Sequence, residues 1–121
     1  MATFTKVLAS GSTQGKGIKI SATTSGTANT IHTTGNSSTT LDEVWVWVVN
    51  SSTAAVKATC LVGGSTSPDN EIEVTVPGES GLMLVVPGLI LCGTGSAGNT
   101  VSMFAASANT LIAYSYVNRI A

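Results

Sequence analysis

The segment Leu41-Asp42-Glu43-Val44-Trp45-Val46-Trp47-Val48-Val49-Asn50 constrains the fold of this chain more than any other. Its β-branched valines and indoles suit a pleated strand far better than a helix. Side chains alternate across a strand, so Trp45, Trp47 and Val49 share one side while Val44, Val46 and Val48 share the other. Both sides are apolar. Such a strand belongs in the middle of a sheet, with a second sheet over one face and a loop or another subunit over the other.

The remaining segments supply partners for it. Short apolar runs recur between Gly, Ser, Thr, Asn and Pro clusters, the pattern of many strands joined by turns. Strands are predicted at Phe4 to Leu8, with Phe4, Lys6 and Leu8 on one face, and at Gly17 to Ala22, both half-buried. A short strand is predicted at Thr30 to Thr33, inside a Thr/Ser/Gly-rich stretch. Ala55 to Val62 follows the Asn50-Ser51-Ser52-Thr53 turn and reads as its hairpin partner, with Val56, Ala58, Cys60 and Val62 facing one way. Glu71 to Val76 alternates cleanly, with Ile72, Val74 and Val76 inward. Pro77-Gly78 and Pro87-Gly88 each suit the centre of a type II turn, where Pro presets φ and Gly supplies φ > 0. They bracket a strand at Leu82 to Val86, and another follows from Gly88 to Leu91. Val101 to Ala105 and Leu111 to Ile120 complete the set, the last placing Ile112, Tyr114, Tyr116, Asn118 and Ile120 on one face. The expectation is one all-β domain over residues 1–121: a two-sheet antiparallel β-sandwich, jelly-roll-like, of about eight strands.

Composition narrows the partners. Only 9% of the 121 residues are charged and the net charge is -1, against about 25% charged in an average soluble protein. Roughly a quarter of the chain is Ser and Thr. A neutral, hydroxyl-rich surface with ample apolar residues gives copies little reason to stay apart, so self-association is expected. Disorder would need the opposite composition. The longest apolar stretch, Leu82 to Cys92, is broken by Pro87-Gly88 and is too short to span a membrane. The opening residues Met1 to Lys6 lack the basic and apolar regions of a signal peptide, so synthesis in a cytoplasm is expected. Lys6, Lys16, Lys19, Lys57 and Arg119 are scattered and outnumbered by acids, which argues against nucleic acid. Cys60 and Cys92 each lie in an apolar run and read as buried free thiols.

Chemistry-bearing patterns are few. Gly93-Thr94-Gly95-Ser96-Ala97-Gly98 matches G-x-G-x-x-G, but alternating Asn99 to Phe104 follows it where a phosphate-cradling helix should begin. It reads as a flexible turn. His32 is the sole histidine and has no second His or Cys at metal-ligand spacing, so it reads as a surface or loop residue. A Ser-His-Asp arrangement would use His32 with Asp42 or Asp69, but no nucleophile elbow accompanies it. Among the carboxylates, Glu71 and Glu73 face solvent, while Asp42 and Glu43 border a turn or pair with Arg119. Catalytic, cofactor and metal sites are therefore not expected, and the chain does not read as an enzyme. Trp45, Trp47, Tyr114 and Tyr116 are a candidate sugar-stacking platform, though their Val and Leu neighbours favour core or subunit contact.

Three segments together carry a resemblance: Leu41 to Trp47, Pro68 to Pro77, and Ala105 to Ile120. The chain resembles small virion proteins of tailed bacteriophages, in which an L-D-E-apolar strand, a V-V-P-G segment (Val85 to Gly88) and a terminal aromatic-x-V-N-R-I recur. Capsid decoration (cement) proteins are similar in size and β-content. The resemblance implies a homotrimeric subunit on the capsid exterior that binds the major capsid protein and clamps neighbouring capsomers. Trimer contacts would draw on Trp45, Trp47, Val49, Tyr114, Tyr116 and Arg119, and the Thr-rich N-terminal third would reach over the shell. A neck or tail component and a carbohydrate-binding module for host attachment are the alternatives.

Overall fold

The computed structural model describes residues 2–66 and 68–121; Met1, part of the reading of the opening residues, lies outside them. Nine strands form among the described residues: β1 (Phe4–Leu8), β2 (Ile18–Ile20), β3 (Asn29–Thr33), β4 (Leu41–Asn50), β5 (Val56–Val62), β6 (Glu71–Val76), β7 (Met83–Leu91), β8 (Thr100–Ala105) and β9 (Leu111–Ile120). A 3-10 turn at Ser25–Thr27 is the one helical piece among the described residues. The strands with the cleanest alternation, β4, β6 and β9, have the bounds their sequences predict.

Two antiparallel sheets result. Sheet A runs β1-β9-β4-β7, with β2 also on β9, and sheet B runs β3-β8-β5-β6. β1 lies against Tyr116 to Ile120 of β9 and β2 against Leu111 to Ala113, so the two are halves of one edge strand interrupted by residues 9–17. Counting them as one leaves eight strands, and renumbering these in chain order gives sheets 1-8-3-6 and 2-7-4-5. That interleaving is the jelly roll. The expected β-sandwich and strand number hold.

Sheet B covers the valine side of β4, as a strand with two apolar faces demands. Val44, Val46 and Val48 are fully buried, with Leu111, Ala113 and Val117 of β9 beside them and Ala58, Cys60, Val101 and Met103 of sheet B among the same core cluster. Each fully buried valine of this kind contributes about 1.5–3 kcal/mol over an exposed one.

Three local expectations are corrected. β4 and β5 are not a hairpin; they belong to different sheets, and the chain crosses between layers after Asn50. Buried Asn50 holds that crossing. Its Nδ2 donates to the carbonyls of Ala54 (2.9 Å) and Val76 (3.1 Å), and its Oδ1 accepts from the Ser52 N–H (3.0 Å) and hydroxyl (2.7 Å).

Pro87-Gly88 is not a turn but a bulge inside β7. Val44 pairs with Leu89 and Trp45 with Pro87, leaving Gly88 as the extra residue at φ 77°. A bulge with glycine at positive φ bends an edge strand, and β7 is an edge, where a proline lacking its N–H is tolerated. At Pro77-Gly78 a turn does form, but the positive φ (53°) falls on Glu79. Gly78 is needed for close approach instead: a Cβ there would lie 2.2 Å from the Thr53 carbonyl oxygen.

Candidate interaction face

With the valine side of β4 consumed by the core, its other side becomes the centre of the outer face of sheet A. Register fixes that face row by row across β1, β9 and β4: Phe4, Ile120 and Leu41; then Lys6, Asn118 and Glu43; then Leu8, Tyr116 and Trp45. Beyond the end of β1, Tyr114 lies beside Trp47, and Ile112 beside Val49. Leu84 and Ile90 of β7 extend the face on its far side. Phe4 is 68% exposed, Leu8 57% and Tyr114 41%. Among the described residues, the exposed large apolar side chains all lie on sheet A or, for Leu82, next to its edge strand β7.

At the centre, the rings of Trp45, Trp47 and Tyr116 are parallel to within 17°, with centroids 5.8 to 6.4 Å apart. That spacing belongs to offset-stacked aromatic pairs. Glycines make room for neighbouring rings: a Cβ on Gly88 would stand 2.8 Å from Trp45 Cζ2, and one on Gly17 would stand 2.9 Å from Tyr114 Cζ. Glu43 Oε1 accepts from the Trp45 indole N–H at 2.9 Å and from Asn118 Nδ2 at 3.4 Å. Lys6 Nζ sits 5.4 Å from the centre of the Tyr116 ring, within cation–π range. A shallow cleft of about 320 Å³, lined by Lys6, Val7, Leu8 and Tyr116, opens beside it.

A second cluster lies inside. Arg119 Nε donates to Asp42 Oδ1 at 2.8 Å and its Nη2 to Oδ2 at 3.0 Å, a fork-to-fork pair. His32 Nε2 lies 2.7 Å from the same Oδ2. The backbone N–H of Ser10 donates to His32 Nδ1 at 3.0 Å. That nitrogen is therefore bare, and Nε2 carries the proton donated to Asp42. The carboxyl of Asp42 is pulled in two directions: burial pushes its pKa up, while the hydrogen bonds from Arg119 and His32 and the charge of Arg119 outweigh burial and hold it below the usual value. The network joins β4 and β9 of sheet A to β3 of sheet B. It resembles two members of a triad, but the acceptor nitrogen of His32 is occupied by Ser10 and the ring is 1% exposed, so no lone pair faces a reacting group.

The structure thus divides the predicted site residues. Trp45, Trp47, Val49, Tyr114 and Tyr116 share the outer face of sheet A, half-buried or exposed, and the aromatics do not fill the core. Arg119 turns to the opposite side of β9, into the Asp42 network, with a third of its side chain still exposed. His32 is not a surface or loop residue. A register shift in β3 between Thr30 and His32 breaks the alternation and turns both Ile31 and His32 inward. Cys60 is a buried free thiol as expected, and burial pushes its pKa up to about 12; Cys92 is free but only half-buried. The loop from Gly93 to Gly98 joins β7 to β8, with no helix for a phosphate. It is no loose turn: Gly93 and Gly95 donate to the carbonyls of Ser37 and Asn36. The β1 contribution to the face, Phe4, Lys6 and Leu8, was legible as a shared side, but those residues are more exposed than a half-buried strand would show.

These features define a jelly-roll sandwich with a finished core and one aromatic sheet face facing outward. No family model matches the chain, and no match emerges among curated proteins or solved structures. Among the described residues no cluster of three His, Cys, Asp or Glu side chains could hold a metal ion, and no helix is long and apolar enough to cross a membrane.

Proposed function

We propose that this chain is a structural subunit of a phage particle, a decoration (cement) protein that binds the outer shell of the head and reinforces contacts between major capsid proteins. One observation carries the reading: a domain with a complete apolar core still presents an exposed sheet face of aromatic and aliphatic side chains, crossed by the polar row Lys6, Asn118 and Glu43, in a chain with few charges to keep copies apart. Exposed apolar side chains gathered on one sheet face mark a surface that meets other protein. The polar remainder of the surface, rich in Ser and Thr, suits broad and weakly charged contact with a shell. The subunit is made in the host cytoplasm and resides on the virion exterior.

Light scattering and co-sedimentation with empty heads of the parent phage test this. Self-association together with saturable binding to the heads is expected; a stable monomer that leaves empty heads bare sinks the reading. Electron microscopy of particles carrying a labelled subunit separates shell from neck or tail.

A second reading rests on the parallel rings of Trp45, Trp47 and Tyr116, which offer a stacking surface for pyranose sugars with Glu43 and Asn118 at its rim. Glycan-array binding that disappears in Trp47→Ala, with the fold intact, would establish it.

A further inference from the structure

We infer that the outer face of sheet A is the contact surface for a second copy of this chain, packed face to face about a two-fold axis that runs along β9. This rests on the reading of that face as a protein-contact surface, and it names the partner and the symmetry.

The register supplies the first argument. Lys6 and Glu43 flank Asn118 in one row, Lys6 on β1 and Glu43 on β4. Neither has an ion-pair partner within its own chain among the described residues. They stand two strand spacings apart, about 9–10 Å, on either side of Asn118, and no ion pair joins them within the chain. A two-fold rotation about β9 exchanges the two sides of that strand. The second copy's β1 then lies over β4, so each Lys6 stands over the Glu43 of the other copy, and two identical ion pairs form. The same rotation lays Leu8 over Trp45 and Phe4 over Leu41, apolar on apolar. An axis running across the strands keeps β1 over β1 and leaves both Glu43 carboxylates without a facing cation. Opposed sheets cross at about 30°, which side chains of these lengths accommodate.

Symmetry supplies the second argument. A three-fold ring needs two different complementary patches, whereas a two-fold contact needs one patch that fits itself. The described exposed apolar residues gather on one sheet, and sheet B offers no equivalent. Area bounds the strength. The rotation opposes three strands, β1, β9 and β4, and leaves β7 outside, so about 14 by 33 Å is covered and ~950 Å² is buried over two copies, the size of a weak, reversible interface. Association is expected at about 10 µM.

Sedimentation equilibrium of the wild-type chain should give twice the 12.2 kDa monomer mass. Trp45 and Trp47 are the only tryptophans, so dilution below the dissociation constant should red-shift the emission. Lys6→Glu should weaken association ~10-fold or more, and Lys6→Glu with Glu43→Lys should restore it, because the pairs re-form with reversed sign. A wild-type monomer at about 100 µM, tenfold above the expected dissociation constant, overturns the inference. So does a trimer, a double variant that associates no better than Lys6→Glu alone, or a monomer that binds soluble oligosaccharide through the aromatic rings. A dimer that leaves empty heads bare would sustain this inference while removing the decoration role, and a monomer that decorates them would do the reverse.

Discussion

His32 and Asp42, from opposite sheets, meet through a 2.7 Å hydrogen bond between the imidazole Nε2 and a carboxylate that Arg119 already grips in bidentate fashion. The contact closes one end of the sandwich. Removing the carboxylate strands the other two groups. Asp42→Ala should therefore cost about 3 kcal/mol in urea unfolding, at the low end for a broken buried pair because Arg119 reaches water. Arg119→Lys, which keeps the charge but loses the fork, should cost less.

The same carboxylate sets an acid limit on stability. Its pKa in the fold lies below the ordinary value of 3.8. The stabilisation it brings is thus complete above that value and is lost as pH falls through the lower, folded pKa. Unfolding free energies measured from pH 6 to pH 2 should fall more steeply for the wild type than for Asp42→Asn, which cannot titrate there. Parallel curves would contradict this.

Gly88→Ala should destabilise more than Gly95→Ala. Both glycines have positive φ, at 77° and 97°, so both substitutions carry the strain of that backbone region. Only the Cβ at position 88 meets a ring, 2.8 Å from Trp45, whereas position 95 is open. A cost of ~1 kcal/mol for Gly95→Ala and ~2–3 kcal/mol for Gly88→Ala is expected from thermal unfolding, with a change in tryptophan emission in the latter alone.

The two cysteines should separate by reactivity. Cys60 lies in the core with its thiol raised to about 12 by burial, so at pH 8 it is neither accessible nor ionised. Ellman titration of the native chain should count one thiol, from half-exposed Cys92, and two after denaturation. Two fast thiols in the native chain would contradict the packing of β5.

The alternation of β4 should divide its substitutions by their readout. Val46→Ala, in the core, should cost about 2 kcal/mol of stability. Trp47→Ser, on the outer face, should change the unfolding of the isolated chain far less while weakening association. Chemical denaturation and sedimentation of the two variants provide the comparison.

Where alternation ran unbroken, the sequence was enough. Leu41 to Asn50 and Leu111 to Ile120 announced both their bounds and their faces, because period-two patterning survives any tertiary arrangement that keeps the strand. What broke alternation was hidden. At Pro87-Gly88 the residues that make a bulge are the residues that make a turn, and only the pairing with Val44 and Trp45 distinguishes them. His32 lay among threonines with nothing nearby to hold it; its partners, Asp42 and Ser10, stand 10 and 22 positions away, and the slip in β3 that turns it inward has no local signature. The aromatic face was legible as a set of residues. Its exposure was not, since a Trp-Val repeat does not say which side the second sheet will cover.

The interrupted edge strand has a consequence of its own. β1 has one core-packed residue, Val7, and its hold on the sheet comes chiefly from main-chain bonds to β9. Beyond it the chain turns in at Ala9, fully buried, before β2 resumes the edge. Residues 2–8 thus form a margin of the sandwich whose removal would expose the hydrogen-bonding edge of β9 and, of the side chains packed on the core, take away Val7. A peptide with the sequence of β1 supplied in trans to a chain lacking it would find that edge vacant, which makes this margin of the sheet a natural place to attach a cargo by strand exchange.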